Sequence, residues 1–538
     1  MKTVACLLLF CSLFTLTALA DDDKTHHHHE DLTAAQLGTV NFPVSCAPAV
    51  QKPFERGVAL LHSFWYEEAE KDFEQIAKDD PHCAMAHWGV AMSLWHQLWN
   101  NPDAKVIARG ADEVHQAKTT GGPATPREKG YIAAVAAFYN KKLNHEARAQ
   151  AYSAAMKKVY ETYPNDHEAA AFYALSLLAS DPHNDATFAN RKQAAAILEK
   201  LFAIEPDHPG IAHYLIHSYD KPQLAQLGLP AARRYAQIAP ASPHALHMPS
   251  HIFARVGLWQ DDINSNLASI AATRKTAAMH MGGEGHQFHA MHFLVYAYLQ
   301  SGREADAAKV IDETRTIPKM KSMYGSDFDP QTNALTVFPA MYALELRHWS
   351  DAAALQVVPG ALRGDQSVTY WARAIGAARG GDLAQAHKDL EQIETIRKEF
   401  TAEKKSEYAE TVGEDYQEAE AWILHAEGAD DKAAAILRAL ADKNDKLGNE
   451  PEGIPAREML ADLLLEVKRP QQALAEYQVD LKLNPNRFNA LYGAARAAEA
   501  AGKQSEASEY YALLLKACDG SNSTRPELSR ARELVAQK

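Results

Sequence analysis

Beyond its first 20 residues the sequence has no apolar stretch long enough to cross a bilayer, which takes about 20 consecutive apolar residues. It also has no basic excess, because 55 lysines and arginines stand against 69 aspartates and glutamates for a formal net charge of -14. Nucleic acids and anionic membrane surfaces are bound through clustered basic residues. The sequence therefore argues against a membrane span and against a nucleic-acid partner.

Cysteine is scarce, with five residues in the whole chain. Only Cys46, Cys83 and Cys518 lie beyond the first 20 residues. An oxidising compartment would permit a bond between Cys46 and Cys83, tying the N-terminal extension to the helices that follow it. Three unpaired thiols are the alternative, and the sequence leaves this choice open.

The usual signatures of catalysis are missing as well. Tyr214 follows His213, and Met248 follows His247, where a zinc protease of the HExxH type has glutamate. The glycine-rich stretch 282–285 does not follow a predicted strand, so it does not indicate a phosphate-binding loop. These absences exclude several common enzyme classes, but they do not exclude an enzyme.

The first 20 residues have the composition of a secretory signal peptide. Lys2 precedes an apolar run, and Ala18-Leu19-Ala20 forms a small-residue cleavage site ahead of three aspartates. We expect cleavage near Ala20 and export, so that the protein is periplasmic or secreted. Residues 21–49 form a polar extension that is expected to be disordered as far as residue 45.

Histidine, in contrast, is concentrated: ten of the 25 histidines lie in residues 208–292. His213 and His217 are four residues apart, as are His247 and His251, and the second pair follows the first by 34 residues. Residues four apart lie on one face of a helix. The two pairs are therefore predicted to occupy equivalent faces of neighbouring, roughly parallel helices.

A 34-residue step is the period of the tetratricopeptide repeat, a helix-turn-helix unit that stacks on its neighbours. Gly57, Leu60, Ala69, Phe73 and Pro81 fall at the small, large and helix-ending positions of that repeat. The chain from about residue 50 resembles the tetratricopeptide repeat (TPR) family. The resemblance implies an all-α fold, an α-solenoid of about ten TPR-like repeats that form a right-handed superhelix.

The repeats are predicted in two blocks. N-terminal repeats with a histidine-rich groove span 50–315, an inserted loop spans 316–335, and repeats of more regular sequence span 336–538. The last repeats keep the 34-residue step, as the spacing of Tyr477 and Tyr511 shows.

In the TPR family the first helix of each repeat lines the concave groove, so the resemblance implies that the clustered histidines point into it. The candidate metal ligands are His213, His217, His247, His251, His289 and His292. The candidates to support those ligands are His244, His286, Glu284 and Tyr214. Outlying groove positions are His62 and His96.

Imidazole is a good ligand for copper, zinc and iron. An i,i+4 pair spans about 6 Å and neighbouring helices lie about 8–10 Å apart, so two or three helices can bring three to five rings to one ion or to two adjacent ions. Copper or zinc is the expected cofactor, and iron is the alternative. Pro249, between His247 and His251, is predicted to kink its helix because it removes a backbone hydrogen bond.

The leading hypothesis is an exported binding scaffold whose groove holds a polyhistidine metal site and takes a peptide, protein or small-molecule ligand. A metal-dependent enzyme would use the same cluster with one coordination position open. A storage or delivery protein would hold the metal more loosely. Duplication of an ancestral repeat would also copy histidines that have no function, and the sequence does not decide among these hypotheses.

Overall fold

The structure is a computed structural model that describes residues 32–98, 101–122, 124–281, 285–318, 328–448 and 450–536. Within those ranges every regular element is a helix, and no strand occurs. The predicted all-α fold is confirmed. No helix in the described ranges is long and apolar enough to cross a membrane.

The N-terminal half begins with one short helix, and a 3-10 turn at Pro48–Val50 separates this helix from the longer helices that follow. The helices of this half are α1 (Ala34–Leu37), α2 (Gln51–His62), α3 (Tyr66–Asp79), α4 (Ala84–Ser93), α5 (Ala104–Thr119), α6 (Pro126–Phe138), α7 (His145–Thr162), α8 (His167–Ala179), α9 (Ala189–Phe202), α10 (Pro209–Tyr219), α11 (Ala225–Ile238), α12 (Pro243–His247), α13 (Pro249–Arg255), α14 (Trp259–Ala278) and α15 (His286–Gln300).

The four helices in the middle of the C-terminal half are long, with 18 to 21 residues each. The helices of this half are α16 (Glu304–Thr314), α17 (Pro330–Glu345), α18 (Trp349–Ala353), α19 (Arg363–Gly380), α20 (Leu383–Ala402), α21 (Ser406–Ala426), α22 (Asp430–Leu447), α23 (Ala456–Glu466), α24 (Pro470–Leu483), α25 (Phe488–Ala500), α26 (Gln504–Ala517) and α27 (Pro526–Ala536).

Consecutive helices pack on one another along the chain, from α2 on α3 to α26 on α27. The close approach depends on small residues that face aromatic rings. A Cβ atom at Gly89 would lie 2.2 Å from the Phe73 ring, and one at Gly493 would lie 2.2 Å from the Tyr477 ring. Because a side chain at either position would overlap the ring, only glycine permits this packing. The predicted α-solenoid of stacked helical hairpins is confirmed.

The segment that precedes the first hairpin is folded. Phe42 is fully buried and packs its ring against Phe54 and Trp88, with centroids 5.4 and 5.5 Å apart. Leu37 is buried as well. The expected disorder is therefore wrong for residues 32–45, because a few apolar side chains in a polar stretch are enough to anchor it. Residues 21–31 lie outside the described ranges.

A disulfide ties this segment to the repeats, which decides the question that the sequence left open. Cys46 and Cys83 are bonded, and they close a loop of 37 residues in sequence. Cys518 remains a free thiol and is buried. In the same region the Ala47 N–H donates to a carboxylate oxygen of Asp80 at 2.7 Å, so the link has polar as well as covalent support.

The predicted inserted loop is shorter than expected. Helix α17 begins at Pro330, inside the predicted loop 316–335. The Asp329 side chain accepts a hydrogen bond from the Gln331 backbone N–H, and proline at the first helical position costs no hydrogen bond. Asp329-Pro330 is thus a helix start, so the prediction is wrong for residues 330–335. Residues 319–327 lie outside the described ranges.

The C-terminal half folds back onto the histidine-bearing helices. Arg487 donates through Nη1 to the Tyr296 hydroxyl at 2.7 Å, and Trp259 donates through Nε1 to the Asn486 carbonyl at 2.9 Å. Helix α2 packs on α10 at the other end of the histidine cluster. Helices α10 to α15 are therefore contacted both by the start of the solenoid and by its C-terminal repeats.

Candidate metal centre

The two histidine pairs belong to helices that begin in the same way. Helix α10 starts at Pro209 and α12 starts at Pro243, and the side chain of the preceding residue, His208 or Ser242, accepts a backbone N–H of the first turn. Proline at the first helical position is favourable because its missing N–H would have no partner there. The histidines four and eight residues further on therefore occupy equivalent positions in both repeats.

Pro249 divides the second of these helices. Helix α12 ends at His247 and α13 begins at Pro249, so the helix is interrupted at the position where the sequence predicts a kink. Met248 between them keeps right-handed helical dihedrals, with φ of -53° and ψ of -33°. His251 therefore remains about one turn beyond His247, on the same side of the helix.

Three imidazoles form the first triad, which consists of His213, His217 and His244. His213 Nε2 lies 3.0 Å from His244 Nε2 and 3.1 Å from His217 Nε2. Ligand atoms of the three residues all lie within 4.8 Å of one another. Three nitrogens at such spacing match a metal ion with bonds of about 2.0–2.1 Å to each. Helices α10 and α12 supply this set.

Three further imidazoles form the second triad, which consists of His247, His251 and His289. His251 Nε2 lies 3.0 Å from His247 Nε2 and 3.3 Å from His289 Nε2. Their ligand atoms also lie within 4.8 Å of one another. Helices α12, α13 and α15 supply this set, so α12 contributes one ring to each triad.

The two triads are neighbours. The His244 and His247 ring centroids are 6.1 Å apart, and those of His217 and His251 are 6.4 Å apart. His213, His244 and His247 are buried, while His217, His251 and His289 are partly buried. The six rings therefore form one continuous cluster with a partly accessible side.

The outer ring nitrogens of the second triad are anchored by oxygen atoms. His247 Nδ1 lies 2.7 Å from Asn266 Oδ1, and His251 Nδ1 lies 2.8 Å from Asp220 Oδ2. Arg255 donates through Nε to the other Asp220 oxygen at 2.9 Å. Because both partners of the rings are acceptors, each Nδ1 carries the ring proton. Such outer partners fix the orientation of metal-binding histidines.

This protonation leaves lone pairs that face each other. A neutral imidazole with its proton on Nδ1 has a lone pair on Nε2, and the Nε2 atoms of His247 and His251 are only 3.0 Å apart. His213 is in the same state, because its Nδ1 donates to the His62 carbonyl at 2.6 Å. Facing lone pairs repel unless a cation lies between them. A metal ion at each triad would satisfy all of them.

Burial favours the neutral form of five rings in the cluster. It lowers the pKa of His217 to about 3, and it lowers the pKa values of His213 and His244 well below 6.5. The pKa values of His247 and His289 fall well below 6.5 for the same reason. Neighbouring imidazoles lower these pKa values further, since a second positive ring nearby is unfavourable. Metal ions bind the neutral ring, so the cluster is ready for ligation near neutral pH.

His292 and His286, which the sequence also selected, lie outside both triads. His292 stacks on Phe338 with centroids 5.5 Å apart, and its Nδ1 is 3.6 Å from a carboxylate oxygen of Glu452. His286 is adjacent to the first triad, with its ring 4.8 Å from that of His244. His244, expected only to support the ligands, is itself a member of the first triad. Glu284 lies outside the described residues.

His62 belongs to a separate buried cluster. Its Nε2 lies 2.8 Å from Glu168 and its Nδ1 lies 2.8 Å from the Tyr214 hydroxyl. His208 Nε2 lies 3.0 Å from the other Glu168 oxygen. Both ring nitrogens of His62 are thus already in use, and Tyr214 supports His62 instead of a triad. His96, the other outlying candidate, stacks on Tyr66 with centroids 4.5 Å apart.

Sequence reasoning missed most of the side chains that orient the histidine rings. Asp220 lies near His217 in the sequence, yet nothing in its spacing marks it as a partner. Asn266 comes from α14, and Glu168 comes from α8. These contacts depend on how the helices stack, so the sequence indicated the clustered histidines but not the side chains that fix them.

No protein-family model matches the chain, and no curated protein matches it. Among solved structures it is similar to the human IFIT1 dimer with PPP-AAAA, at 14% identity and a TM-score of 0.37, over 86% of this chain and 89% of that one. It is also similar to the APC/C hetero-tetramer Cut9-Hcn1, at 10% identity and a TM-score of 0.32, over 90% of this chain and 89% of that one. Similarity this low carries no information on function.

Proposed function

We propose that this protein is a TPR-like scaffold that holds transition-metal ions at the two histidine triads. The observation that carries the proposal is the pair of Nε2 atoms of His247 and His251, 3.0 Å apart with both outer nitrogens bound to oxygen acceptors. Without a cation, a buried lone pair on His247 and a partly buried one on His251 would be held together, which is unfavourable. A bound ion turns that repulsion into ligation.

Copper or zinc is the proposed metal, and iron is the alternative. Neutral imidazole suits all three, and the triads contain only imidazole among the described residues. The signal-like N-terminus supports an exported protein, periplasmic or secreted, that would meet its metal outside the cytoplasm.

A small molecule is the proposed ligand at the triads. Three of the six rings are buried, and the C-terminal repeats contact the helices that carry the rings. An extended peptide would need a continuous open groove at this place. A protein or peptide partner is therefore proposed to use another surface of the solenoid, if the chain has one.

A metal-dependent enzyme is the second candidate function. Each triad offers three protein ligands, and catalytic metal sites commonly have three, with the remaining position left for water or substrate. Storage or delivery is less well supported. Hydrogen bonds to the outer nitrogens of His213, His247 and His251 fix those rings, whereas a delivery site needs ligands that exchange easily.

Elemental analysis of the purified full-length protein tests the proposal. We expect copper or zinc to stay with the protein through desalting, and to be lost in the double variant His213→Ala/His247→Ala. His387→Ala is the matched control, because His387 is an exposed histidine paired with Glu427 far from the triads. Wild-type protein that retains no metal after reloading and desalting would contradict the proposal, provided that its helical content is intact.

A further inference from the structure

We infer that the two triads form one dinuclear copper centre whose ions share a single small bridging ligand, dioxygen when both ions are Cu(I). The inference rests on the proposed function, since it requires that the triads bind metal. We further infer that both triads are filled together and that copper is the metal. The open coordination positions of the two ions then face a common space.

The spacing of the triads supports the filling of both triads together. His244 and His247 are three residues apart on α12, a rise of about 4.5 Å, and each belongs to a different triad. The closest rings of the two triads have centroids 6.1 and 6.4 Å apart. Two-metal sites in enzymes have ions about 3.5–4 Å apart. The triads are therefore close enough for one ligand of two or three atoms to reach both ions.

The number of histidines in each triad supports open coordination positions that face a common space. Among the described residues, each triad gathers three histidines, and no carboxylate or thiol joins either group. Three nitrogen ligands leave at least one position on each ion for a ligand from solution. His217, His251 and His289 are only partly buried, and His217 and His251 are the ring pair that links the triads. A small molecule can therefore enter where the two sites meet.

Charge favours copper over the other metals. All six rings are neutral donors, so nothing in the ligand set offsets the charge of the ions. Two Zn²⁺ ions would place four positive charges in a largely buried site, whereas two Cu⁺ ions would place only two there. Asp220 is the nearest carboxylate hydrogen-bonded to a ligand ring, and Arg255 already balances its charge. Paired iron or manganese sites in helical proteins, by contrast, use several carboxylates.

The reaction with dioxygen is balanced by the two copper ions alone. Each Cu(I) gives one electron to dioxygen, which yields two Cu(II) ions and one peroxide dianion held between them. No bond to a protein atom forms or breaks, no proton moves, and no further reductant is needed. Release of dioxygen reverses the same electron transfer. In the oxidised state a small anion such as azide can occupy the bridging position instead.

Copper loading followed by electron paramagnetic resonance (EPR) tests the inference on the full-length protein. Cu(I) is added without oxygen, excess is removed, and the sample is then oxidised. We expect two copper ions per chain and loss of most of the Cu(II) signal, because two bridged ions couple their spins. Acid denaturation should restore the full signal, which shows that the silent copper was Cu(II) and not unoxidised Cu(I).

Azide titration then tests the shared position. We expect the copper absorption spectrum to change until one azide is bound per two copper ions. One azide per copper ion would mean independent terminal positions, and it would overturn the inference. Two copper ions with a full signal in the native protein would overturn it as well while leaving the proposed function in place. One copper ion per chain would overturn it too, and it would limit the proposed metal binding to one triad. No bound metal at all would overturn both.

Single-triad variants separate coupling from other causes of a missing signal. His217→Ala and His289→Ala each remove one partly buried ligand from one triad, and each should retain one copper ion with its full EPR signal. His217→Asn and His289→Asn serve if the alanine variants lose helical circular dichroism. His292→Ala is the matched control, because His292 lies in the same region outside both triads, and it should remain silent. Absence of the Cu(II) EPR signal in both single-triad variants would overturn the inference.

Discussion

The histidine-bearing helices and the C-terminal repeats build the same stack of hairpins, yet they bury different polar groups. In the C-terminal half Arg487 is buried between Glu345 and Glu458, with ion-pair distances of 2.8 Å to each. In the N-terminal half imidazoles face one another, as His247 and His251 do at 3.0 Å. The Arg487 cluster pairs every donor with an acceptor, whereas His247 and His251 donate outward through Nδ1 and bring two Nε2 acceptors together.

The two clusters differ in how their buried polar groups are paired within the chain. The guanidinium of Arg487 has donors for both carboxylates and for the Tyr296 hydroxyl, so its charge is balanced within the chain. Buried charges are tolerated when they are paired and hydrogen-bonded. The Nε2 lone pairs of His247 and His251 cannot pair with each other, because both rings donate through Nδ1. The comparison therefore supports a structural role for the C-terminal cluster and the proposed metal-binding role for the histidine cluster.

The largest effect should come from breaking the Arg487 cluster. Arg487→Ala leaves two buried carboxylates without their cation, and we expect it to lower the free energy of unfolding by about 3–5 kcal/mol. Chemical denaturation measures this loss, and added metal should not restore it. Arg469→Ala, which removes an exposed pair with Asp431, is the control and should cost no more than about 1 kcal/mol. Equal losses for the two variants would remove the distinction between the clusters.

Removal of metal should have the next largest effect, and it should be confined to one half. A ligand present at a thousand times its dissociation constant stabilises a protein by about 4 kcal/mol. Such an effect should fade with distance along the stack, so chelation should increase hydrogen exchange in residues 209–292 and leave residues 363–402 of α19 and α20 nearly unchanged. Hydrogen–deuterium exchange with mass spectrometry measures both regions in one sample. Uniform loosening of both would contradict this assignment.

A smaller effect should follow from weakening the outer support of one ligand. Asp220→Asn keeps the shape of the side chain but removes the charge that accepts from His251 and pairs with Arg255. We expect metal affinity at the second triad to fall by about 10–100-fold, as measured by competition with a chelator. Asp207→Asn, which removes an exposed carboxylate paired with Arg234, is the control. Unchanged affinity in Asp220→Asn would mean that this carboxylate does not tune the site.

The smallest effect should come from a histidine that the sequence selected and the structure separates from the triads. His292→Ala should leave the metal content unchanged, since His292 stacks on Phe338 and faces Glu452. Elemental analysis beside His289→Ala, one turn away on the same helix, provides the comparison. Loss of an ion in His292→Ala would show that the ligand set differs from the two triads.

The sequence predicts the helical stack and the histidine pairs because both depend on short repeats. A 34-residue step fixes the register of α10 and α12, and four-residue spacing fixes the face of each helix. The partition into triads was out of reach, because it depends on how closely the helices approach. His244 thus belongs to the first triad, although the sequence predicted it only as a residue that supports the ligands.

The closed surroundings of the site could not be predicted either. Asn486 and Arg487 reach α14 and α15 from more than 190 residues away. Such contacts follow from the curvature of the whole stack, which sums small rotations at every repeat. No local sequence pattern determines the curvature of the whole stack. The contacts between the histidine-bearing helices and distant repeats are therefore a finding of the structure alone.

Native mass spectrometry of the metal-loaded full-length protein counts the ions that the two triads hold. We expect the mass of two metal ions on the wild-type chain, of one ion on His217→Ala and on His289→Ala, and of none on His213→Ala/His247→Ala. A wild-type chain that carries no ion, or single variants that keep the full complement, would contradict this expectation.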